Sequence, residues 1–209
     1  GYSSAASDVY KRQEYTNPVD WDNDFETIPK IGNNVLIGNS ADINNNHLDM
    51  LDYLKEVDFS GKKIIVPLSY GGSKQYANKI DKAYKELLGK ECLTLLEYMS
   101  REDYLELLSS VGVGIFFHER QQATCNIEEL LRHGVKLFLS ETSINYRHYK
   151  SVGYHIYSLQ HDFNQQALDI PLTEEQKKHN VQLWLRTSNR EYRLQYLYDI
   201  YDLLKQPNR

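Results

Sequence analysis

The sequence has few cysteines and no long apolar run, and each absence excludes a class of protein. The two cysteines, Cys92 and Cys125, are too few for a disulfide framework or a cysteine-built zinc site. No apolar stretch approaches the length of a membrane span, and no secretory signal is visible. The net charge of −5 gives no overall field that attracts nucleic acid. We therefore expect a reduced, cytosolic setting and no nucleic-acid partner.

The motifs of several common enzyme classes are also missing. The histidines show neither HExxH nor H-x-x-x-H spacing, so no metal site is predicted. No G-x-G-x-x-G follows the first predicted strand, which argues against a nicotinamide dehydrogenase. There is no G-K-[ST] loop of a P-loop NTPase and no G-x-S-x-G elbow of an α/β-hydrolase. No cofactor is predicted.

The first 33 residues lack the pattern of a folded element. Ser3–Gln13 reads SSAASDVYKRQ, the translation of a transposon-end adapter used in sequencing libraries, so residues 1–13 are expected to be a non-native tail. Residues 14–33 are acidic, contain Pro18 and Pro29 and have no clear period, which indicates a linker. We expect that the natural reading frame continues upstream and that this chain is the C-terminal part of a longer protein.

From residue 34 onward, short apolar strands alternate with amphipathic helices. Strands are predicted at 34–38, 63–68, 91–96, 111–117, 135–139 and 154–157, and helices at 42–57, 73–88, 100–109, 126–133 and 143–151. This alternation predicts an α/β fold with a doubly wound parallel sheet over residues 34–170. Residues 171–209 contain two further predicted helices, about 173–187 and 188–204, which either pack on this domain or cross to another.

Polar residues follow the predicted strands at the one edge of the sheet where the carboxyl ends of parallel strands meet. They are Gly38, Asn39, Ser40 and Asp42 after the first strand, Tyr70 and Gly71 after the second, Glu97 after the third, and Arg120, Gln121, Gln122 and Asn126 after the fourth. A guanidinium can pair with two phosphate oxygens, and amides bind sugar hydroxyls. This set suits a phosphorylated sugar or a nucleotide.

The residues alone leave several of these interpretations open. The segment 38–42 can equally be a turn that ends in an N-cap, and Gly71-Gly72 is more often only a turn. Glu97 can be an exposed acid that complements a helix dipole. His118 is a possible base and His47 a possible ligand contact, although a lone histidine is more often structural. Arg120 beside two glutamines is the stronger case for a ligand site.

Four segments carry a resemblance to a known family. They are VLIGNSADINNNHLDMLDYL (Val35–Leu54), KIIVPLSYGGSKQY (Lys63–Tyr76), LLEYMSREDYLELLSSVGVGIFFHERQQ (Leu95–Gln122) and NIEELLRHGVKLFLS (Asn126–Ser140). In order and spacing they resemble the TDP-N-acetylfucosamine:lipid II N-acetylfucosaminyltransferases, also called 4-alpha-L-fucosyltransferases. The resemblance covers about residues 34–159, and its G-N-S-x-D and R-Q-Q elements are fairly specific.

The resemblance implies the C-terminal, donor-binding, Rossmann-like half of a GT-B glycosyltransferase. Such an enzyme transfers a 4-acetamido-4,6-dideoxyhexose from TDP to a polyprenyl-diphosphate-linked glycan. This step belongs to surface polysaccharide (enterobacterial common antigen-like) synthesis, peripherally at the cytoplasmic face of the inner membrane. Without the acceptor domain, this chain is expected to bind the donor weakly and to turn nothing over.

By position, the resemblance also implies roles for single residues. Arg120 and Gln122 would be catalytic: Arg120 would stabilise the departing diphosphate together with the helix start at Asn126, and Gln122 would hold the diphosphate or the sugar. The donor would be bound by Gly38, Asn39, Ser40, Asp42, Tyr70, Gly71, Glu97, Gln121 and Asn126.

The chain departs from the family pattern R-Q-Q-G-x-G-N at two positions. Ala123 and Cys125 stand where the pattern has glycines that let the backbone approach a diphosphate. Two other functions therefore remain open. One is a non-catalytic Rossmann-like interaction domain whose edge has degenerated, and the other is a GT-B-like sugar-nucleotide epimerase.

Overall fold

The structure, a computed structural model, describes residues 31–188. The predicted non-native tail, most of the predicted linker and the last predicted helix lie outside these residues. Within residues 31–188, no helix is both long enough and apolar enough to cross a membrane.

Six strands of the described part form one parallel sheet. They are β1 (Asn34–Ile37), β2 (Ile64–Pro67), β3 (Cys92–Leu95), β4 (Val111–Phe116), β5 (Lys136–Leu139) and β6 (Tyr157–Ser158). Their order across the sheet is β3-β2-β1-β4-β5-β6, and every neighbouring pair is parallel. This is the doubly wound order, in which the direction of winding reverses between β1 and β4. The predicted fold class is confirmed.

The α-helices of the described part connect or follow these strands. They are α1 (His47–Leu54), α2 (Lys74–Leu88), α3 (Arg101–Ser109), α4 (Thr124–Arg132), α5 (Ile144–Val152), α6 (Gln165–Asp169) and α7 (Glu174–Ser188). The predicted N-cap of α3 is present, because Ser100 Oγ accepts from the Asp103 backbone N–H at 3.0 Å and also bonds to the Asp103 carboxylate. Helix α7 matches the first of the two predicted C-terminal helices, whereas α6 was not predicted from the sequence.

The helix predicted at 42–57 is interrupted near its start. A short 3₁₀ turn, Ile43–Asn45, precedes α1. Between them Asn46 adopts a left-handed conformation with φ 52°, and its side-chain amide donates to the Phe117 carbonyl at 2.9 Å. A long-range hydrogen bond therefore divides what the apolar spacing alone predicts as one helix.

The strand predicted at 154–157 is wrong in its boundaries, because β6 contains only Tyr157 and Ser158. The backbone N–H of His155 donates to Asn180 Oδ1 at 2.8 Å, and Asn180 Nδ2 donates to the His155 carbonyl at 3.1 Å. The side chain of a helix-α7 residue thus occupies the backbone groups that a strand would use to pair with β5.

Both faces of the sheet are covered, which explains why its central strands are apolar along their whole length. Val35, Leu36 and Ile37 of β1 are fully buried. On one face, residues of α1 and α2 such as Met50 and Ile80 pack into this core. The sheet is a rigid platform, and the loops at the carboxyl ends of its strands remain free for function.

Candidate functional site

The crevice between β1 and β4 is the natural place for a ligand in this topology, because the connections from these two strands leave the sheet in opposite directions. The loop after β1 contains Gly38 to Asp42, and the loop after β4 contains His118 to Ala123. These two loops hold most of the residues that the sequence analysis assigned to the donor site.

The loop after β1 is built on buried hydrogen bonds. Gly38 has φ +65°, and a Cβ atom at this position would overlap the His47 ring. His47 is fully buried, and its Nε2 donates to the Ser40 carbonyl at 2.9 Å. Asn45, also fully buried, donates from Nδ2 to the same carbonyl at 3.2 Å. His47 is therefore a structural residue beneath the loop, which resolves the alternative that it contacts a ligand.

The loop after β2 packs directly on the loop after β1. Ala41 N–H donates to the Tyr70 carbonyl at 2.7 Å, and Asn39 Nδ2 donates to the Tyr70 hydroxyl at 3.2 Å. A Cβ atom at Gly72 would overlap the Ala41 carbonyl oxygen, and one at Gly71 would lie 2.8 Å from Ser40 Oγ. The two glycines therefore do more than form a turn, since they permit two site loops to touch.

The loops after β1 and β4 meet at Asp42. Its carboxylate accepts from the backbone and side-chain nitrogens of Asn44 at 2.8 and 2.7 Å. The Gln122 side chain and the positive charge of the Arg120 guanidinium also lower the pKa of this carboxyl group. Burial raises the pKa of Asp42, but these hydrogen bonds and the positive charge outweigh burial and hold the pKa below its usual value. Asp42 is therefore ionised at neutral pH.

A cleft of about 460 Å³ opens beside this junction, between the start of α1 and the loop after β4. Its lining combines amides, carboxylates, one guanidinium and one aromatic ring: Asn44, Asn46, Asp49, Phe117, Glu119 and Arg120. Its volume lies within the range of small-molecule sites. The mixture of polar groups with a ring edge is compatible with a carbohydrate.

Helix α4 begins without a side-chain cap, although its start faces the same edge of the sheet. Its N-cap residue, Ala123, has φ 57° and ψ 13° in the left-handed region. The backbone N–H groups of a first helical turn have no partner within the helix, and the helix dipole makes this end positive. Ala123 thus keeps the backbone conformation that favours the glycine of the family pattern.

Because a left-handed conformation strains alanine, we expect Ala123→Gly to stabilise the protein by about 1 kcal/mol. Ala83→Gly, in the interior of α2, serves as the opposite control, because glycine weakens a regular helix by about 1 kcal/mol. Urea unfolding measures both free energies. Equal destabilisation by the two variants would contradict the left-handed assignment of Ala123.

Three residues predicted for the site lie outside the junction at Asp42. Asn126 Nδ2 donates to the Tyr104 hydroxyl at 3.0 Å, which ties α4 to α3. Gln121 is exposed at the tip of its loop. Glu97 is also exposed and follows β3, an edge strand that is separated from β1 by β2. Their assignment to donor binding stays a prediction.

Asn145, a buried residue in the first turn of α5, contacts the site but was not predicted from the sequence. Its Nδ2 donates to the Gln122 carbonyl at 2.8 Å and to His118 Nε2 at 3.0 Å. Burial lowers the pKa of His118 to about 4, so the ring is neutral at pH 7 and carries its proton on Nδ1. His118 therefore fits a structural role rather than that of a base. The only sequence signal for Asn145 was an amide shortly after the N-cap Ser143.

The two buried histidines predict acid sensitivity. Burial lowers the pKa of both His47 and His118 from 6.5 to about 4, so the unfolded state binds more protons than the folded state between these values. Stability is then fully present above pH 6.5 and falls by about 1.4 kcal/mol per pH unit for each ring as the pH drops toward 4. Urea unfolding between pH 7 and pH 4.5 gives the slope of the free energy of unfolding against pH. The variant His118→Gln should reduce this slope by about 1.4 kcal/mol per pH unit, the contribution of one ring. A variant with the same slope as the wild type would contradict the burial of His118.

Comparison with known proteins assigns this chain to a family. Residues 17–178 match the family model described as 4-alpha-L-fucosyltransferase glycosyl transferase group 56. The chain belongs to this 4-alpha-L-fucosyltransferase family. The predicted family is confirmed, and the matched residues begin within the segment that was predicted to be a linker.

Solved structures with a similar fold share little sequence identity with this chain. A trehalose-phosphate synthase (UDP-forming) from Burkholderia xenovorans matches with a TM-score of 0.57 and 15% identity, over 80% of this chain and 43% of that chain. The apo structure of OtsA matches with a TM-score of 0.61 and 13% identity, over 89% and 46%. A glycosyltransferase involved in avilamycin A biosynthesis matches with a TM-score of 0.55 and 12% identity, over 79% and 52%.

These matches confirm the predicted Rossmann-like fold of the GT-B type for this 4-alpha-L-fucosyltransferase family member. The chain spans about half the length of the solved structures that it matches.

Proposed function

We propose that this domain binds the nucleoside diphosphate sugar that donates the hexose in a hexosyl transfer. The diphosphate of this donor lies at the start of α4 beside Arg120. The observation that carries the proposal is the uncapped start of α4 at the point where the winding of the sheet reverses. Family membership supports the reaction class. The proposed donor is a TDP-linked 4-acetamido-4,6-dideoxyhexose.

The electrostatic role of this arrangement follows from the chemistry of the bond that breaks. When the bond between the sugar and the diphosphate breaks, negative charge develops on the leaving diphosphate. The backbone N–H groups at the start of α4 and the Arg120 guanidinium can donate to those oxygens without reorganising. Metal-free stabilisation of this kind is our proposal for the catalytic contribution of the domain.

The acceptor and the cellular site are part of the same proposal. We propose a polyprenyl-diphosphate-linked glycan as acceptor, held with any general base by a second domain, and a peripheral position at the cytoplasmic face of the inner membrane. The family match supports a glycan acceptor in general terms. A chain without the acceptor domain should bind the donor and show no turnover.

Isothermal titration calorimetry with TDP and UDP tests the proposal on the protein as described. Binding of TDP, competed by the TDP sugar and not by thymidine, is the expected result, because the diphosphate carries the interaction. The absence of heat with either nucleotide, in protein shown to be folded by circular dichroism, would overturn the proposed function.

A further inference from the structure

Two side chains of the candidate site indicate that the sugar and the diphosphate of the donor are bound by different residues. We propose that Asp42 and Gln122 recognise the hydroxyl or amide N–H groups of the donor sugar, whereas the diphosphate is bound by the start of α4 and by Arg120. This inference rests on the proposed function, and it narrows the role of Gln122 from the diphosphate or the sugar to the sugar alone.

The side-chain oxygen of Gln122 lacks a hydrogen-bond donor. This atom, Oε1, is buried and has no hydrogen-bond partner among residues 31–188. The Gln122 side chain also lies close enough to Asp42 to lower the pKa of that carboxyl group. Asn39 Oδ1, in the facing loop, is likewise buried without a partner in this part of the chain. Both atoms are acceptors. A phosphate oxygen is also an acceptor and cannot satisfy them, whereas a sugar hydroxyl or an acetamido N–H can.

The charge of Asp42 leads to the same conclusion. Its carboxylate is ionised at neutral pH and repels a phosphate group placed against it. A hydroxyl donor placed there instead gains a charge-assisted hydrogen bond. The cleft lined by Asn44 and Arg120, both of which interact with Asp42, offers space for a ring next to this carboxylate.

The backbone of Gln122 is fixed by a hydrogen bond from α5. Asn145 holds the Gln122 carbonyl at 2.8 Å, and its own position is fixed by burial in α5 and by the bond to His118. A glutamine whose backbone is held in this way starts its side chain from a defined position, which suits discrimination between ligands.

Calorimetry with TDP and TDP-glucose on three variants tests the assignment. Wild-type protein should bind TDP-glucose more tightly than TDP. Gln122→Met should weaken TDP-glucose by about fivefold to tenfold, the loss of one hydrogen bond, and leave TDP within about twofold. Gln165→Met, in α6 with its side chain bonded to Asp58 and Asp169, is the matched control and should change neither affinity.

Asp42→Asn gives a result with a diagnostic sign. Asparagine keeps an acceptor for Asn44 but removes the negative charge, so TDP should bind several-fold more tightly. The ratio by which the protein prefers TDP-glucose over TDP should fall. A merely structural role of Asp42 would weaken both ligands. Equal weakening of TDP and TDP-glucose by Gln122→Met, weaker TDP binding by Asp42→Asn, or equal wild-type affinities would each overturn the inference. Failure of the wild type to bind TDP at all would instead overturn the proposed function beneath it.

Discussion

Replacing Arg120 by alanine should lower the affinity for TDP by about 10- to 100-fold. The guanidinium lies in the loop after β4, and its charge acts on the Asp42 carboxylate. A bound diphosphate offers it two oxygens in the planar arrangement that a guanidinium matches. Hydrogen bonds to charged groups contribute about 1.5–3 kcal/mol each, which corresponds to this range of affinities. Calorimetry with TDP measures the loss.

Two controls separate specific pairing from a general loss of positive charge. Arg120→Lys keeps the charge but loses the fork, so it should recover only part of the affinity. Arg147→Ala removes one positive charge from the exposed surface of α5 and should leave TDP binding almost unchanged. Equal losses in Arg120→Ala and Arg147→Ala would show that Arg120 does not pair with the ligand.

Among substitutions of glycine by alanine near the site, Gly72→Ala should destabilise the protein most. The added Cβ would overlap the Ala41 backbone carbonyl, which cannot rotate away as a flexible side chain can. The loops after β1 and β2 would have to separate, and the 2.7 Å hydrogen bond from Ala41 to Tyr70 would be lost. We expect a loss of about 3 kcal/mol or more in the free energy of unfolding, together with weaker TDP binding.

Gly61→Ala is the matched control for this substitution. Gly61 has φ +78°, and no neighbouring atom lies within 4 Å of the position that an alanine Cβ would occupy there. Alanine at this position therefore meets strain of the backbone alone, about 1 kcal/mol. Urea unfolding of both variants isolates the overlap at Gly72. If the two variants lose the same stability, the close approach of the two loops is refuted.

The sequence predicted the architecture well because its signals are local. Strands such as Ile64–Pro67 are short apolar runs, and α3 follows an N-cap serine whose capping partner lies three residues later. The alternation of these elements is enough to specify a doubly wound sheet, since parallel strands require crossovers of one hand. The resemblance to the family added predicted positions for the donor residues, and these stay predictions.

The details that the sequence did not predict depend on contacts between distant residues. Asn180 replaces the strand neighbours of His155, and Lys136, inside β5, donates to the carbonyls of Ala167 and Ile170 at 2.6 and 2.9 Å. Asn145 likewise reaches back 23 residues to Gln122. An isolated amide or lysine in the sequence does not reveal such partners, because no periodicity connects them.

At Ala123, one of the two positions where the family pattern has glycine, the backbone keeps a conformation that glycine favours. Ala123 adopts the left-handed conformation of a glycine, at some cost in strain, directly before the start of α4. This favours a retained ligand site over a degenerate interaction domain. Cys125 brings an exposed thiol into the first turn of α4, whereas Cys92, the only other cysteine, is buried.

That thiol allows the most direct test of where the diphosphate binds. The rate at which iodoacetamide alkylates Cys125 can be followed by mass spectrometry with and without ligand, and Cys92 serves as the internal reference. Saturating TDP should slow the alkylation of Cys125 severalfold, whereas thymidine at the same concentration should not. An unchanged rate at a TDP concentration that calorimetry shows to be saturating would place the ligand elsewhere and contradict a diphosphate site at the start of α4.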